Sequence, residues 1–189
     1  MKKFSVFVFF SFLFLQNNTV YAQHIFLKAG DLTLKGSLFT NYENYVELTG
    51  VQLGADAEVS VIKGAGAAVG KANFDAIVIT KSVDILSNEL MRNIAAGKSI
   101  PLIEIITTNK VGQVERVAHK IELKNVFVTK IANASAEACP GDCGTVAESV
   151  SFVYKAIRIT TYSIDSKTGA FVANPNPFEL DISSMTATF

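Results

Sequence analysis

Two histidines, His24 and His119, and two cysteines, Cys139 and Cys143, are all the imidazole and thiol groups that this 189-residue chain carries. A protein-bound zinc or similar ion needs three or four such ligands at short, regular spacings, and neither histidine stands in one. A lone histidine in a strand is more often a surface or satisfied side chain than a catalyst. The carboxylates Asp75, Asp84, Glu104, Glu115 and Glu122 are scattered over separate segments, and sequence alone assembles no acid–base pair from them. Lys81 and Asp84 flank a turn, where a structural ion pair or a helix cap is the expected role. We therefore expect no enzymatic activity, no cofactor and no metal.

Cys139 and Cys143 enclose Pro-Gly-Asp, a turn-forming triplet. In an exported protein this spacing reads as a local disulfide that clips a loop. So short a closure contributes about 2 kcal/mol on chain-entropy grounds. The competing readings are a redox pair, which usually has two intervening residues, and half of a metal site, which needs a further His or Cys. Gly64, Gly66 and Gly70 space as G-x-G-x-x-x-G rather than as the dinucleotide fingerprint, and no helix follows them. That run reads as a flexible loop, with phosphate binding as the second reading.

The elements that position these residues centre on Phe74 to Gly97. Phe74 to Lys81 is rich in β-branched and aromatic residues and predicts a strand. It places Phe74, Ala76 and Val78 on one face and Ile77 and Ile79 on the other, so it reads as central and covered on two sides. The period then changes. Leu90, Met91 and Ile94 fall on one helical stripe. Ser87 is placed to cap the first turn, Glu89 to favour the helix dipole, and Leu86 with Met91 to form a hydrophobic staple. Gly97 can end the helix in the left-handed conformation. A helix of about three turns depends on packing, so Leu90 and Ile94 are expected to bury.

The remainder reads as β. Ile25 to Lys28, Tyr45 to Leu53 and Ala57 to Ile62 are strands, and Pro101 to Thr108 and Val114 to Thr129 form a hairpin about Lys110 to Gln113. Ser149 to Tyr162 predicts the longest strand, with a bulge or bend near Lys155-Ala156 where the buried parity changes. Asp165 to Gly169 is a turn, Asn174 to Pro177 a loop, and Phe178 to Ile182 a final strand. The fold class is mainly β, a curled antiparallel sheet with one short α-helix.

Met1 to Ala22 has the make-up of an export signal: basic Lys2 and Lys3, an apolar run from Phe4 to Leu15, and Val20-Tyr21-Ala22 before a cut between Ala22 and Gln23. The run is short for a membrane span, which takes about 20 apolar residues. No cysteine follows the cut to take a lipid. The expected organisation is a signal peptide, 1–22, then a single domain, 23–189, that is secreted or periplasmic and leaves the membrane after cleavage. Removing Lys2 and Lys3 from the 17 basic residues leaves 15 against 17 acidic ones. Near-neutral charge without a basic cluster argues against nucleic acid as a partner.

Four stretches, in order, resemble the haemolysin-coregulated proteins, the tube-forming subunits of type VI secretion systems. They are IFLKAGDLTLKGS (Ile25 to Ser37), FDAIVITKSVDILSNELMRNIAAGK (Phe74 to Lys98), HKIELKNVFVTKI (His119 to Ile131) and ESVSFVYKAIRITTY (Glu148 to Tyr162). The second is the most specific, and in it Phe74, Lys81, Asp84, Ser87, Leu90 and Gly97 match the family pattern as structural positions. Asn88 stands where the family commonly has Pro, and family members usually lack a cleavable signal. The resemblance implies a compact antiparallel β-barrel with one helix on its side. It also implies self-association into homohexameric rings, stacked into a tube that a contractile sheath drives outward, with a lumen that can hold effector proteins. The alternative is an exported, non-enzymatic module that binds protein or carbohydrate on the same barrel, which an aromatic-lined groove would mark.

Overall fold

The computed structural model describes residues 23–30, 41–62, 66–111, 114–135 and 146–189. Seven strands form one continuous antiparallel path. In spatial order they are β2 (Val46–Leu48), β1 (Gln23–Ala29), β7 (Ile100–Val111), β8 (Val114–Ala134), β9 (Ala147–Val153), β6 (Ile77–Ser82) and β3 (Gly50–Gln52). The two ends of this path, β2 and β3, belong to one chain segment interrupted only at Thr49. The sheet therefore closes on itself as a barrel, and the Thr49 N–H crosses the seam to the Thr80 carbonyl at 2.8 Å. Closure removes the open edges that would invite mispairing.

The interior follows from alternation. Leu27 on β1, Ile103 and Ile105 on β7, Ile121 and Leu123 on β8, and Val150 and Phe152 on β9 all point into one apolar cluster. Each such side chain stabilises the fold by roughly 1.5–3 kcal/mol on burial. β10 (Ala156–Ile164) pairs with β8 on the edge opposite β7 and carries β11 (Phe171–Ala173) and β12 (Phe178–Asp181) on its other side. Helix α1 (Ile85–Ala96) lies against β8 and buries Leu86 and Leu90 completely, with Ile94 partly covered. Among the described residues β4 (Ala55–Ile62) and β5 (Gly66–Phe74) pair with each other alone, as a separate two-stranded ribbon.

Four sequence expectations are corrected here. The stretch from Phe74 to Lys81 is not one strand covered on both sides. Phe74 ends β5 opposite Ala55, Asp75 and Ala76 turn the chain, and β6 buries only Ile77, Ile79 and Lys81, leaving Thr80 exposed. Tyr45 to Leu53 divides into β2 and β3, because the segment changes partner from β1 to β6 at Thr49. Gly66 to Gly70 is ladder rather than loop, since a ladder is made by backbone groups and tolerates small residues. Ser149 to Tyr162 is two strands, β9 and β10, and the longest strand is β8 with 21 residues. The break falls at Tyr154 and Lys155, next to the anticipated bend. There Tyr154 stays in the core, and the Lys155 N–H turns to the Lys124 carbonyl at 3.0 Å.

Candidate functional site

On β6, residues 77, 79 and 81 share the core-facing parity, and on β9 so do 148, 150 and 152. Charged residues on that parity must find each other inside, and the register puts Lys81 directly opposite Glu148. The Lys81 Nζ reaches Glu148 Oε1 at 2.9 Å and Asp84 Oδ1 at 2.7 Å. It also donates to Ser87 Oγ at 2.8 Å and to the Ser82 carbonyl at 3.2 Å. Ser87 Oγ donates in turn to Glu148 Oε1 at 3.0 Å. The Lys81 and Glu148 side chains are essentially inaccessible to water, while Asp84 keeps a quarter of its side-chain surface. Among the described residues no buried side-chain nitrogen or oxygen is left unsatisfied.

The same knot starts the helix. Asp84, with extended backbone at φ −145°, is the N-cap, and its Oδ1 accepts from the Leu86 N–H at 2.9 Å. Ser87 is the third helical residue and completes the capping box by accepting the Asp84 N–H at 3.1 Å. The expectation that Ser87 caps the helix is thus corrected. Both residue types suit the cap, and burial of Leu86 draws the helix start back to Ile85. With that shift Leu86 is the second helical residue, Met91 is exposed, and the staple between them is absent. Glu89 lies beyond the first turn and pairs with Arg92. Asn88 is likewise inside the helix, so preferences for its first position do not bear on it. Gly97 ends α1 at φ 59°, and the Lys98 N–H closes on the Asn93 carbonyl at 3.0 Å.

The opposite surface of the sheet carries a different network. Lys28, Glu104, Glu122, Arg158 and Glu179 stand in one register row across β1, β7, β8, β10 and β12. Glu104 and Glu122 face each other, a destabilising pair on its own, and Lys120 bridges them at 2.5 and 3.3 Å. Burial works against the Lys120 charge, but hydrogen bonds to Glu104 and Glu122 raise its pKa. Arg158 Nε lies 2.6 Å from Glu179, and its terminal nitrogen 3.6 Å from Glu122. The Tyr45 hydroxyl donates to Glu104 at 2.5 Å, and burial together with that bond holds its pKa above the usual value. Beside this row Phe26 and Tyr42 stack at 4.2 Å, with Tyr45 edge-on.

The histidines do not converge. His24 Nδ1 meets Glu47 at 2.8 Å, and its Nε2 lies 3.8 Å from Glu115, which also accepts from Thr108 at 2.6 Å. His119 stands opposite Thr107 and Thr161, where burial lowers its pKa. Asp75 approaches Tyr154, whose hydroxyl meets the Asp75 carbonyl oxygen at 3.4 Å. Burial, then the Asp75 charge, pushes the Tyr154 phenol up to about 12. Among the described residues no group of three or more His, Cys, Asp and Glu could hold a metal ion. Phe74 stacks on Phe178 at 6.0 Å, and Gln23 opens β1 opposite Asn109. Cys139, Cys143 and Ala22, and so the proposed bridge and one side of the proposed cleavage point, lie outside the described residues. The residue that sequence reasoning missed is Glu148. Its signal was a carboxylate on the same parity as Val150 and Phe152, matching the lysine at the same parity as Ile77 and Ile79.

The arrangement is a scaffold in which charged groups bind one another. Residues 26–161, well over half of the chain, match the family described as "Type VI secretion system effector, Hcp". No curated protein matches the chain in sequence. Among solved structures, one described as a type six secretion system protein superposes with a TM-score of 0.77 at 19% identity, over 87% of this chain and 99% of the other. Hcp1 from Salmonella typhimurium gives a TM-score of 0.64 at 18% identity, over 87% of this chain and 98% of the other. A type VI secretion system effector from Yersinia pestis gives 0.54 at 17%, over 84% and 99%. At these identities the structures speak to the fold, and the family match speaks to the lineage. The chain belongs to the Hcp family of type VI secretion system proteins.

Proposed function

We propose that the protein is a structural subunit of a type VI secretion tube, assembling as homohexameric rings that stack end to end and enclose effector proteins in their lumen. The observation that carries this reading is the family match over residues 26–161. The architecture agrees with it. The barrel closes through β2 and β3, so its own sheet needs no neighbour to be complete. Among the described residues the β4–β5 ribbon pairs with no other strand, and Asp56 to Val59 and Gly70 to Asn73 are exposed along it. A two-stranded ribbon is marginal alone in water, so a neighbouring subunit is its natural support. A repeated head-to-tail contact of this kind closes into a ring when its rotation divides a full turn.

Residues 1–22 serve in this reading as a cleaved export segment, which delivers 23–189 as one domain to the periplasm or medium. In that oxidising setting Cys139 and Cys143 form the local bridge. Mass measurement of exported protein should give a chain beginning at Gln23 with no free thiol. Electron microscopy of that material tests the assembly: six-fold rings are expected, and dispersed single barrels would favour an exported binding module instead.

A further inference from the structure

The last nine residues double back over the open face of the sheet. Asp181 Oδ1 accepts from the N–H groups of Ser183 and Ser184 at 2.9 and 3.1 Å, and the Asp181 N–H closes on the Thr186 carbonyl at 2.8 Å. Between them Met185 adopts φ 55°, the left-handed region that few residues other than glycine occupy. Thr186, Ala187 and Thr188 are exposed, so they hold the segment down through little contact surface. Phe189 holds it. Its ring has Lys124 Nζ at 4.2 Å and Arg158 Cζ at 4.2 Å from its centroid. Lys124 and Arg158 flank Ala156, which stands opposite Lys124 in the ladder and is nearly inaccessible to water.

This is a built socket. Arg158 is fixed by Glu179 and Glu122, which present its guanidinium plane, and guanidinium stacks on aromatic faces. Two cations on one ring attract its quadrupole, and a small alanine beneath leaves room for the ring. We propose that Lys124, Arg158 and Ala156 form an exchangeable receptor for an aromatic side chain, filled here by Phe189 of the same chain and equally suited to Phe189 of a second copy. The second copy is the occupant because it brings the identical segment, so exchange conserves every contact. The eight residues after Asp181, once extended, reach roughly 25–30 Å. Extension also frees Met185 from its left-handed backbone. The receptor thus couples subunits by exchanging a strap, separately from whatever contacts form a ring.

The test is a titration of a fluorescently labelled peptide with the sequence of residues 181–189 against mature Phe189→Ala protein, read by anisotropy. Saturable binding is expected, and it should be roughly tenfold weaker when the peptide's Phe is replaced by Ala. Wild-type protein, whose socket is filled from its own chain at high effective concentration, should take the peptide about fivefold or more weakly than Phe189→Ala. Arg158 also holds the charged row, so Lys124→Ala, added to Phe189→Ala, is the independent variant, and it should weaken binding without disturbing circular dichroism. No saturable binding to Phe189→Ala, or equal binding of the Phe and Ala peptides, overturns the proposal. The titration reads one site on the folded chain, so its outcome is independent of the ring count.

Discussion

Two charged networks, one facing inward from β6 and β9 at the helix start and one on the outer face of β1, β7, β8, β10 and β12, obey different physics. Beneath α1 the Lys81, Glu148 and Ser87 side chains are buried, Asp84 keeps a quarter of its side-chain surface, and every buried nitrogen and oxygen has a partner. On the open face, Glu104, Lys120, Glu122, Arg158 and Glu179 form a longer chain of pairs whose side chains keep between 16% and 33% of their surface. A buried charge that loses its partner has no water to fall back on, whereas an exposed one rehydrates. The short inner knot therefore holds the helix to the barrel, and the longer outer row mainly sets which side chains lie beside which.

Lys81→Met should have the largest effect on stability. Leaving Glu148 buried and unpaired should cost roughly 3–5 kcal/mol in denaturant unfolding. Adding Glu148→Leu should recover most of that loss, because a matched apolar pair removes both desolvation penalties. If Lys81→Met leaves the midpoint unchanged, the knot is not what holds the seam. Leu90→Ala tests the apolar half of the same seam, with an expected loss of about 2–5 kcal/mol for a fully buried leucine.

Tyr154 sits where β9 gives way to β10, and its phenol is pushed up to about 12. The sign follows from linkage. The unfolded chain ionises near the ordinary phenol value of 10.0, and the folded chain only near 12. The contribution is full below pH 10 and is lost as pH rises through 12. Stability should fall by about 2–3 kcal/mol across that window. Tyr154→Phe should flatten that part of the profile; Tyr45, also raised, supplies a further alkaline loss. The smallest effect belongs to the open face. Glu122→Gln should change stability by about 1 kcal/mol or less, and the difference should shrink with added salt. A larger loss would mean that the outer row behaves like the inner knot.

Much of this was legible in the chain. Alternation identified the buried faces of β7, β9 and β10, and the change of period at Ser82 to Leu86 marked the only helix among the described residues. The ion pair of Lys81 with Asp84 followed from their places around a turn. Partner exchange was not legible, because Val46 to Gln52 keeps its strand period while it passes from β1 to β6. Periodicity alone hid barrel closure for the same reason, and it was the resemblance to the haemolysin-coregulated proteins that implied a barrel. The cap was misplaced because Asp84 and Ser87 both suit an N-cap, and burial of Leu86, a tertiary fact, decides between them. Gly66 to Gly70 misled because small residues carry no period, although their backbones pair as well as any.

The molar mass of mature protein in solution shows whether this barrel assembles as the proposed ring-forming tube subunit. Light scattering on material starting at Gln23 should return six copies, with heavier species appearing as concentration rises and rings stack. A single-chain mass across the micromolar range would contradict it.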